Sequence, residues 1–267
     1  MSYSSINLAT KPIVLSISGH DPSGGAGIQA DIEVLNHFDC HPCSIITCLT
    51  VQDSSTVHRL IPQEAEAIVE QASILFNDMP INAIKIGLTG SLGAVNAIAS
   101  IIKSQPNIPI VFDPVLACGD GTPLANADLI GEIKSKLLPL TTVLTPNTIE
   151  AAQLSGLQEN NDPDQLGTSL LKQGPDYVLL TGGHALGTVL RNHLFNNNEK
   201  LASYEWQRQA GHFHGTGCTL ASAIAALMAT GQSIPDAIEL AQTYVDNTIK
   251  QAIQLGKGQR FLHRSQA

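Results

Sequence analysis

The feature that most constrains the fold is an alternation of short apolar runs with longer helix-like segments along almost the whole chain. Six runs rich in β-branched and apolar residues are Ile13–Ile17, Ser44–Leu49, Ala83–Ile86, Ile108–Phe112, Thr142–Leu144 and Tyr177–Leu180. Most of them are continuously apolar rather than alternating, which is typical of strands buried on both faces of a parallel sheet.

Helix-like segments with polar starts separate or follow these runs. They are Gly27–Phe38, Gln63–Phe76, Ser91–Ser104, Asn126–Leu137, Thr148–Leu154, Asp164–Lys172, Thr219–Ala229 and Pro235–Leu255. Val57–Ile61 reads as an extra strand, and Thr188–Phe195 with Leu201–Trp206 reads as a β-hairpin. The repeated units predict an α/β fold, with a doubly wound, mostly parallel sheet and helices on both faces, in three α/β/α layers.

The chain shows no proline-, glycine- and serine-rich stretch long enough to act as a linker. A single α/β domain of this length is ordinary. We therefore expect one domain over residues 1–267, with an N-terminal tail over residues 1–11 and a C-terminal tail over residues 259–267.

Composition argues against several classes of partner. Fourteen Lys and Arg residues against 23 Asp and Glu give a net charge of −9, and aromatic residues make up 4%. Nucleic-acid binding requires a basic face or stacking rings, so we expect no such partner. The apolar part of the longest uncharged stretch, Leu220–Ala229, is about half of the ~20 residues that a membrane span requires. Five irregularly spaced cysteines and the lack of a secretion signal suit reduced thiols, so we expect a cytoplasmic protein without a membrane partner.

Ligands bind such sheets at the carboxyl ends of the strands. The loop after the first strand, from Gly19 to Gly27, is rich in glycine, so its backbone N–H groups can approach a ligand closely. A plain turn remains open for this loop, and so does a dinucleotide fingerprint over Gly25–Ala30. That second alternative needs an acidic residue about 20 positions further on, and Asp53 lies beyond that spacing.

The segment Gly215–Thr219 directly precedes the apolar helix. Small residues at a helix N-terminus leave several N–H groups pointing toward one place, where the helix dipole favours an anion. Cys218 falls in the first turn, where the pKa of a thiol is typically lowered. A glycine-rich helix start with an inert cysteine is the alternative.

Two further loops carry acidic residues at strand ends. Asn147 with Glu150 fits a capping box, and the same pair could hold a metal–water–phosphate assembly. Asp113, which follows Phe112, is either a turn former or a magnesium ligand. The C-x-x-C motif from Cys40 to Cys43 lies between a helix and a strand and has no second ligand pair, so we expect neither a redox nor a zinc role.

Several of these motifs together carry a resemblance to a known family. They are Ser18–Asp31, Cys43–Gln52, Lys85–Leu88, Asp113–Val115, Leu144–Asn147 with Glu150, Gly182–His184 and His214–Thr219. With them the chain resembles the hydroxymethylpyrimidine/phosphomethylpyrimidine kinases of thiamine biosynthesis, members of the ribokinase-like superfamily. The resemblance extends from about residue 12 to about residue 258.

The resemblance implies ATP-dependent phosphorylation of 4-amino-5-hydroxymethyl-2-methylpyrimidine, and then of its monophosphate to the pyrophosphate. It implies a substrate site in which Gln52 hydrogen-bonds the aminopyrimidine edge. Ala26 and Val115 would supply neighbouring contacts, Leu88 would line the pocket, and Asp31 would lie on the substrate side. A homodimer is the oligomer expected from the resemblance.

On the phosphate side, the resemblance implies that Asn147 and Glu150 organise Mg²⁺ and ATP with help from Asp113, so that Asp113 and Glu150 are the metal candidates. The residues Gly215, Thr216 and Gly217 would form the anion hole. Cys218 would be the base for the substrate hydroxyl.

Thr181 and Gly183 fall at the nucleotide site, where Thr181 stands in place of a lysine common in the family. His212-Phe213 likewise replaces the more usual Asn-Thr ahead of the anion hole. A pyridoxal or pyridoxine kinase, a nucleotide-dependent dehydrogenase and a non-catalytic pyrimidine-binding module are the alternatives.

Overall fold

The computed structural model of the protein describes residues 11–183, 187–197 and 199–266. The predicted N-terminal tail lies outside the described residues except for Lys11, and so does His184 of the Gly182–His184 motif.

Within the described residues, nine strands form one sheet in the order β3-β2-β1-β4-β5-β6-β7-β8-β9. These strands are β1 (Ile13–His20), β2 (His41–Gln52), β3 (Val57–Pro62), β4 (Ala83–Ile86), β5 (Ile110–Phe112), β6 (Val143–Leu144), β7 (Tyr177–Leu180), β8 (Val189–Asn196) and β9 (Glu199–Gln207). The six strands from β2 to β7 in this order run parallel, whereas β3, β8 and β9 pair antiparallel at the two edges. The predicted strands and the hairpin are therefore confirmed.

Helices cover both faces of the sheet. They are α1 (Gly27–His37), α2 (Ala65–Asp78), α3 (Leu92–Lys103), α4 (Ala127–Lys136), α5 (Thr148–Ser155), α6 (Pro163–Leu171), α7 (Thr216–Ala229) and α8 (Ile234–Lys250). One hydrophobic core joins α2 to α6 with one face of the sheet, and the other core joins α1, α7 and α8 with the opposite face. The predicted three-layer α/β/α fold is confirmed.

Local sequence explains where several of these helices begin. The side chains of Ser91, Asn126 and Ser233 each accept a hydrogen bond from a backbone N–H in the first turn of α3, α4 and α8. Within the central strands, successive residues enter opposite cores: Leu15 packs in one core and Val14 in the other. This explains the continuous apolar runs, because both faces of each strand are buried.

The C-terminal residues are packed, although the sequence suggested a tail over 259–267. Arg260–Phe261 forms β11, which pairs in parallel with β10 (Phe213–His214) in a separate two-stranded sheet. A 3-10 turn then buries Arg264. Each of these strands has only one apolar residue and so forms no apolar run, unlike the equally short β6, which is why the sequence did not reveal them. Among the described residues, no helix is long and apolar enough to cross a membrane.

Candidate active site

The loop after β1 is wrapped around the carboxylate of Asp21. Oδ1 of Asp21 accepts hydrogen bonds from the backbone N–H (2.8 Å) and the hydroxyl (2.7 Å) of Ser23, and Oδ2 accepts one from the N–H of Ala26 (2.8 Å). Nε2 of His214 lies 2.8 Å from the same Oδ2. Burial alone would raise the pKa of Asp21, but the hydrogen bonds from His214 and Ser23 outweigh it and lower the pKa to about 2. Asp21 therefore ties the first loop to the segment ahead of α7.

The start of α7 lies directly against this first loop. Gly215 is the N-cap residue and adopts a left-handed conformation with φ of 79°. A Cβ atom at Gly215 would lie 2.0 Å from the carbonyl oxygen of Gly25, so only glycine permits this approach. The first N–H groups of a helix have no acceptor within the helix, and here these belong to Thr216, Gly217 and Cys218. The helix begins three residues earlier than the predicted Thr219, so the residues predicted to form an anion hole lie at its N-cap and in its first turn.

Asp113 meets the same helix start from the end of β5. A Cβ atom at Gly217 would lie 3.1 Å from Oδ2 of Asp113. Asp113 and Glu150, which we call the acidic pair, are both buried. Burial raises the pKa of Asp113 despite the opposing charge of Lys85, and burial together with the charge of Asp113 raises the pKa of Glu150. The two carboxyl groups thus disfavour each other's ionisation.

The capping box predicted for Asn147 and Glu150 is present. Oδ1 of Asn147 accepts the N–H of Glu150 at 2.9 Å, and Oε2 of Glu150 accepts the N–H of Asn147 at 3.0 Å. Oε1 of Glu150 also lies 3.4 Å from the N–H of Leu116, in the loop that follows Asp113. Capping therefore fixes Glu150 beside Asp113 and leaves lone pairs on its oxygens.

The acidic pair fits a magnesium ion that is held partly by a nucleotide. In the part of the chain that the structure describes, no group of three or more His, Cys, Asp or Glu side chains could hold a metal by itself. Mg²⁺ in phosphoryl-transfer sites commonly takes only one or two carboxylates, with the rest of its shell from phosphates and water. Two buried acids that repel each other supply the charge that such an ion neutralises.

A second group of buried charges lies beneath the helix start, and we call it the Lys85 cluster: Ser16, Asp31, Lys85 and Ser222. Nζ of Lys85 contacts both carboxylate oxygens of Asp31, at 2.8 and 2.9 Å. Ser16 donates to Oδ2 at 2.6 Å, and Ser222 donates to Oδ1 at 2.7 Å. All four residues are fully buried. The sequence-based assignment of Asp31 to the substrate side is therefore wrong, because protein donors occupy both of its oxygens away from any surface.

Cys218 is close to both groups, because the charges of Lys85, Asp31 and Asp113 act on its thiol. Its side chain is buried, and the N–H of Gly27 donates to its sulfur. Burial raises the pKa of the thiol to about 11, although the charge of Lys85 opposes the rise. The expectation of a lowered pKa at this helix start is wrong, since loss of solvation and the charges of Asp113 and Asp31 outweigh the charge of Lys85 and the hydrogen bond from Gly27.

The residues predicted to contact the substrate lie at the carboxyl ends of neighbouring strands. Gln52 ends β2, Ala26 ends the first loop, and Leu88 and Val115 follow β4 and β5; all four are half-buried. A Cβ atom at Gly19 would lie 3.1 Å from Cδ2 of Leu88, so Leu88 contacts the first loop. These positions surround the same end of the sheet as the helix start.

The predicted nucleotide residues follow β6 and β7. The N–H of Thr181 donates to the carbonyl oxygen of Pro146 at 2.9 Å, which joins the two loops. Arg208, just after β9, donates to the carbonyl oxygens of Gly183 at 2.7 Å and Gly182 at 3.4 Å. Sequence reasoning missed Arg208, since this residue is distant in the chain from the loop that it contacts.

The site can now be compared with known proteins. The family model described as phosphomethylpyrimidine kinase matches residues 21–263. A hydroxymethylpyrimidine/phosphomethylpyrimidine kinase of Streptomyces coelicolor is 35% identical over 251 residues, covering 93% of each chain. The chain belongs to the phosphomethylpyrimidine kinase family. The predicted resemblance is confirmed, and the enzyme class is phosphotransferase.

Solved structures agree in fold. The pyridoxal kinase of Bacillus subtilis in its ADP complex matches with a TM-score of 0.87 at 27% identity, covering 96% of this chain and 98% of that one. A phosphomethylpyrimidine kinase from Clostridium difficile matches with a TM-score of 0.79 at 31% identity, covering 90% and 100%. These ribokinase-like neighbours confirm the fold class.

The dehydrogenase alternative finds no support at its key residue. Asp53 is exposed, and its Oδ1 accepts hydrogen bonds from the N–H groups of Ser55 (2.7 Å) and Thr56 (3.1 Å). It is therefore a turn former beyond β2. The chain belongs to a kinase family, so the dehydrogenase alternative is rejected.

Proposed function

We propose that this chain transfers the γ-phosphoryl group of ATP to the hydroxymethyl oxygen of 4-amino-5-hydroxymethyl-2-methylpyrimidine, and then phosphorylates the resulting monophosphate to the pyrophosphate. The observation that carries the proposal is the meeting of the first loop, the start of α7 and Asp113 at one end of the sheet. Phosphoryl transfer is achieved mainly by positioning and by electrostatic stabilisation, and this arrangement supplies both.

For the pyrimidine, we assign binding to the half-buried residues around the first loop. Gln52 has the amide donor and acceptor that match the ring nitrogen and amino group of an aminopyrimidine. Ala26, Leu88 and Val115 provide the apolar surface beside it. This places the hydroxymethyl group toward Gly215–Gly217.

For the phosphates, we assign the anion hole to the N–H groups of Gly215, Thr216 and Gly217. Asp113 and Glu150 are the residues that would hold Mg²⁺, which when bound neutralises charge on the phosphate oxygens. Asn147 keeps Glu150 oriented through the capping box.

Cys218 is the residue that we assign to the hydroxyl proton. A thiol with a pKa of about 11 is almost fully protonated at neutral pH, so only the small thiolate fraction can take the proton of the hydroxyl group as its oxygen attacks the phosphoryl group. A loose transition state makes little demand on a base, and we expect a contribution below the usual 10²–10⁴-fold range of general bases.

At the nucleotide end, Thr181 and Gly183 line the loop where the family commonly has a lysine. The guanidinium of Arg208 lies on the backbone of this loop, so the site has a cation there despite Thr181. We assign Arg208 to holding the loop in the shape that receives the nucleotide.

Pyridoxal is the second candidate substrate. The fold matches pyridoxal kinases over 96% of this chain, with TM-scores of 0.85 to 0.87. Both substrates are hydroxymethyl derivatives of a nitrogen heterocycle, so the same loops can present either one to the anion hole.

Turnover with Mg-ATP tests the proposal. ADP release should be measured with hydroxymethylpyrimidine, its monophosphate, pyridoxal and pyridoxine in parallel, with pyrimidine binding followed by calorimetry. We expect turnover on both pyrimidines, with kcat/KM at least tenfold above pyridoxal. Turnover on pyridoxal alone would reassign the substrate, and pyrimidine binding without ADP release would favour a binding module.

The single domain, the homodimer, the cytoplasmic location and the lack of a nucleic-acid partner stay predictions. Sedimentation of the purified protein tests the dimer directly.

A further inference from the structure

The C-terminal segment, residues 258–264, contacts loops on both sides of the candidate site. The N–H groups of Gly258 and Gln259 donate to Oγ (3.0 Å) and to the carbonyl oxygen (2.8 Å) of Ser54, two residues beyond Gln52. The N–H of Arg260 donates to the carbonyl oxygen of His212 at 2.9 Å. The segment therefore joins the loop after β2 to the strand that leads into α7.

Arg264 ends this segment inside the protein, where 3% of its surface is exposed. Its Nη2 donates to the carbonyl oxygen of Gly25, in the first loop, and lies 3.5 Å from that of His214. Its Nε donates to the hydroxyl of Thr219 at 2.9 Å, in the first turn of α7. One guanidinium thus holds both the first loop and the start of α7.

Two anchors fix Arg264 itself. Its Nη1 contacts Oε2 of Glu33 on α1 at 3.1 Å, and the hydroxyl of Tyr244 on α8 donates to its carbonyl oxygen at 2.8 Å. The planar guanidinium presents several N–H groups in a rigid fork, which a lysine cannot do. The geometry therefore specifies arginine at this position.

We propose that Arg264 is a positioning residue that sets the separation between the substrate on the first loop and the N–H groups of Gly215–Gly217. This inference rests on the proposed function, because it assumes that the acceptor hydroxyl lies on one loop and the transferred phosphoryl group at the other. Displacing reacting groups by about 1 Å can lower the rate roughly 10²-fold. Loss of the hydrogen bonds from Arg264 to Gly25 and Thr219 should therefore slow phosphoryl transfer and leave substrate affinity nearly unchanged.

The test compares Arg264→Gln with Arg260→Gln. Both variants remove one positive charge from the same segment, but the side chain of Arg260 is exposed. We expect Arg264→Gln to lower kcat at least 30-fold with the KM for ATP and the affinity for the pyrimidine changed less than threefold. Arg260→Gln should retain kcat within twofold. A folded Arg264→Gln variant that keeps wild-type kcat would overturn the proposal, and so would equal losses in both variants.

Tyr244→Phe is the second variant, in case Arg264→Gln fails to fold. It removes only the hydroxyl that holds the backbone of Arg264, and we expect a three- to tenfold loss of kcat at unchanged KM. Hydrogen exchange of residues 24–27 and 215–219 should quicken at least fivefold in this variant. Unchanged kcat and unchanged exchange in a folded Tyr244→Phe would contradict the proposal.

The same experiment separates this proposal from the proposed function. If the wild-type chain phosphorylates no alcohol tested, the proposed function fails. Arg264 is then judged by hydrogen exchange alone, which requires no substrate. Faster exchange of residues 24–27 and 215–219 in the Arg264→Gln or Tyr244→Phe variant would support the positioning role of Arg264, whereas unchanged exchange would exclude it.

Discussion

The Lys85 cluster and the acidic pair are two groups of buried charge close to Cys218, and members of both act on its thiol. In the Lys85 cluster, one lysine and two hydroxyls satisfy a single carboxylate, with donor–acceptor distances of 2.6 to 2.9 Å. In the acidic pair, the negative charge of one carboxylate makes ionisation of the other less favourable. The hydrogen bonds to the side chain of Glu150 come from backbone N–H groups. The first group is complete within the protein, and the second is the group that we propose holds a cation.

This difference teaches how to separate structural from functional charge in a buried site. A carboxylate whose oxygens are all occupied by protein donors stabilises the fold and has nothing left for a ligand. Two neighbouring acids with a shortage of positive charge store an unfavourable interaction, which a bound cation relieves. Burial alone does not distinguish the groups, because Asp31, Asp113 and Glu150 are all buried.

The largest expected effect comes from breaking the Lys85 cluster. Lys85→Met leaves the carboxylate of Asp31 buried without a counter-charge, and such losses typically cost about 3–5 kcal/mol. We expect the free energy of unfolding, measured by urea denaturation, to fall by about that amount.

Lys200→Met is the matched control. Lys200 contacts both carboxylate oxygens of Asp164 at 2.8 and 2.9 Å, the same distances as in the Lys85–Asp31 pair, but the pair is exposed. Exposed pairs contribute about 0–1 kcal/mol, so the control should lose little stability. Equal losses in the two variants would mean that burial does not set the strength of the pair.

The next effect is on the pH dependence of stability and concerns Asp21, a buried acid that accepts hydrogen bonds from Ser23 and Ala26 and contacts His214. Its pKa in the folded chain is about 2, below the ordinary value of 3.8, so its stabilising contribution is present above pH 4 and is lost as the pH falls through 2. The shift corresponds to about 2 kcal/mol. We expect the free energy of unfolding to decline over this range, and to decline by less in Asp21→Asn.

Asp53→Asn serves as the control for that titration. The pKa of Asp53 is also lowered, chiefly by hydrogen bonds from Ser55 and His58, but its side chain is exposed. The free energy of unfolding of Asp53→Asn should therefore depend on pH as it does in the wild-type chain. If the decline in this free energy at low pH disappeared in Asp53→Asn and persisted in Asp21→Asn, Asp53 and not Asp21 would be its source.

A smaller effect is expected at Cys218, which is close to both groups. Cys218→Ala should lower kcat by about tenfold, below the usual range of base contributions, with pyrimidine affinity nearly unchanged. Steady-state kinetics and calorimetry measure the two quantities. Cys43→Ala is the control, because Cys43 is also buried but lies near the start of β2, at the end of the strand away from Gln52. An unchanged kcat in Cys218→Ala would remove Cys218 from the transfer step.

Much of the fold could be predicted because its strands are buried on both faces and therefore carry continuous apolar runs. Ala83–Ile86 and Tyr177–Leu180 have the same bounds in the structure as in the sequence-based prediction. The helix starts were less accurate where small residues lie ahead of the apolar face, as at Thr216. The pairing of β10 with β11 was missed because each strand has one polar residue and forms no apolar run, whereas the equally short β6 is wholly apolar.

The candidate site could be predicted as a set of loops, but not in its electrostatics. Parallel strands bring Asp113 and Asn147 to the same edge, and that much follows from the alternation of elements. The hydrogen bonds that Asp31 accepts from Lys85, Ser16 and Ser222 depend on contacts between elements that are distant in the chain. The raised pKa of Cys218 depends on burial, which the motif does not encode.

The dependence of turnover on Mg²⁺ in Asp113→Asn tests most directly the claim that the acidic pair exists for a cation. Removing one acid relieves the repulsion with Glu150, so the Tm should stay the same or rise while the Mg²⁺ concentration for half-maximal turnover increases at least tenfold. We therefore expect thermal stability and the affinity for Mg²⁺ to change in opposite directions. An unchanged Mg²⁺ requirement in a folded Asp113→Asn variant would contradict it.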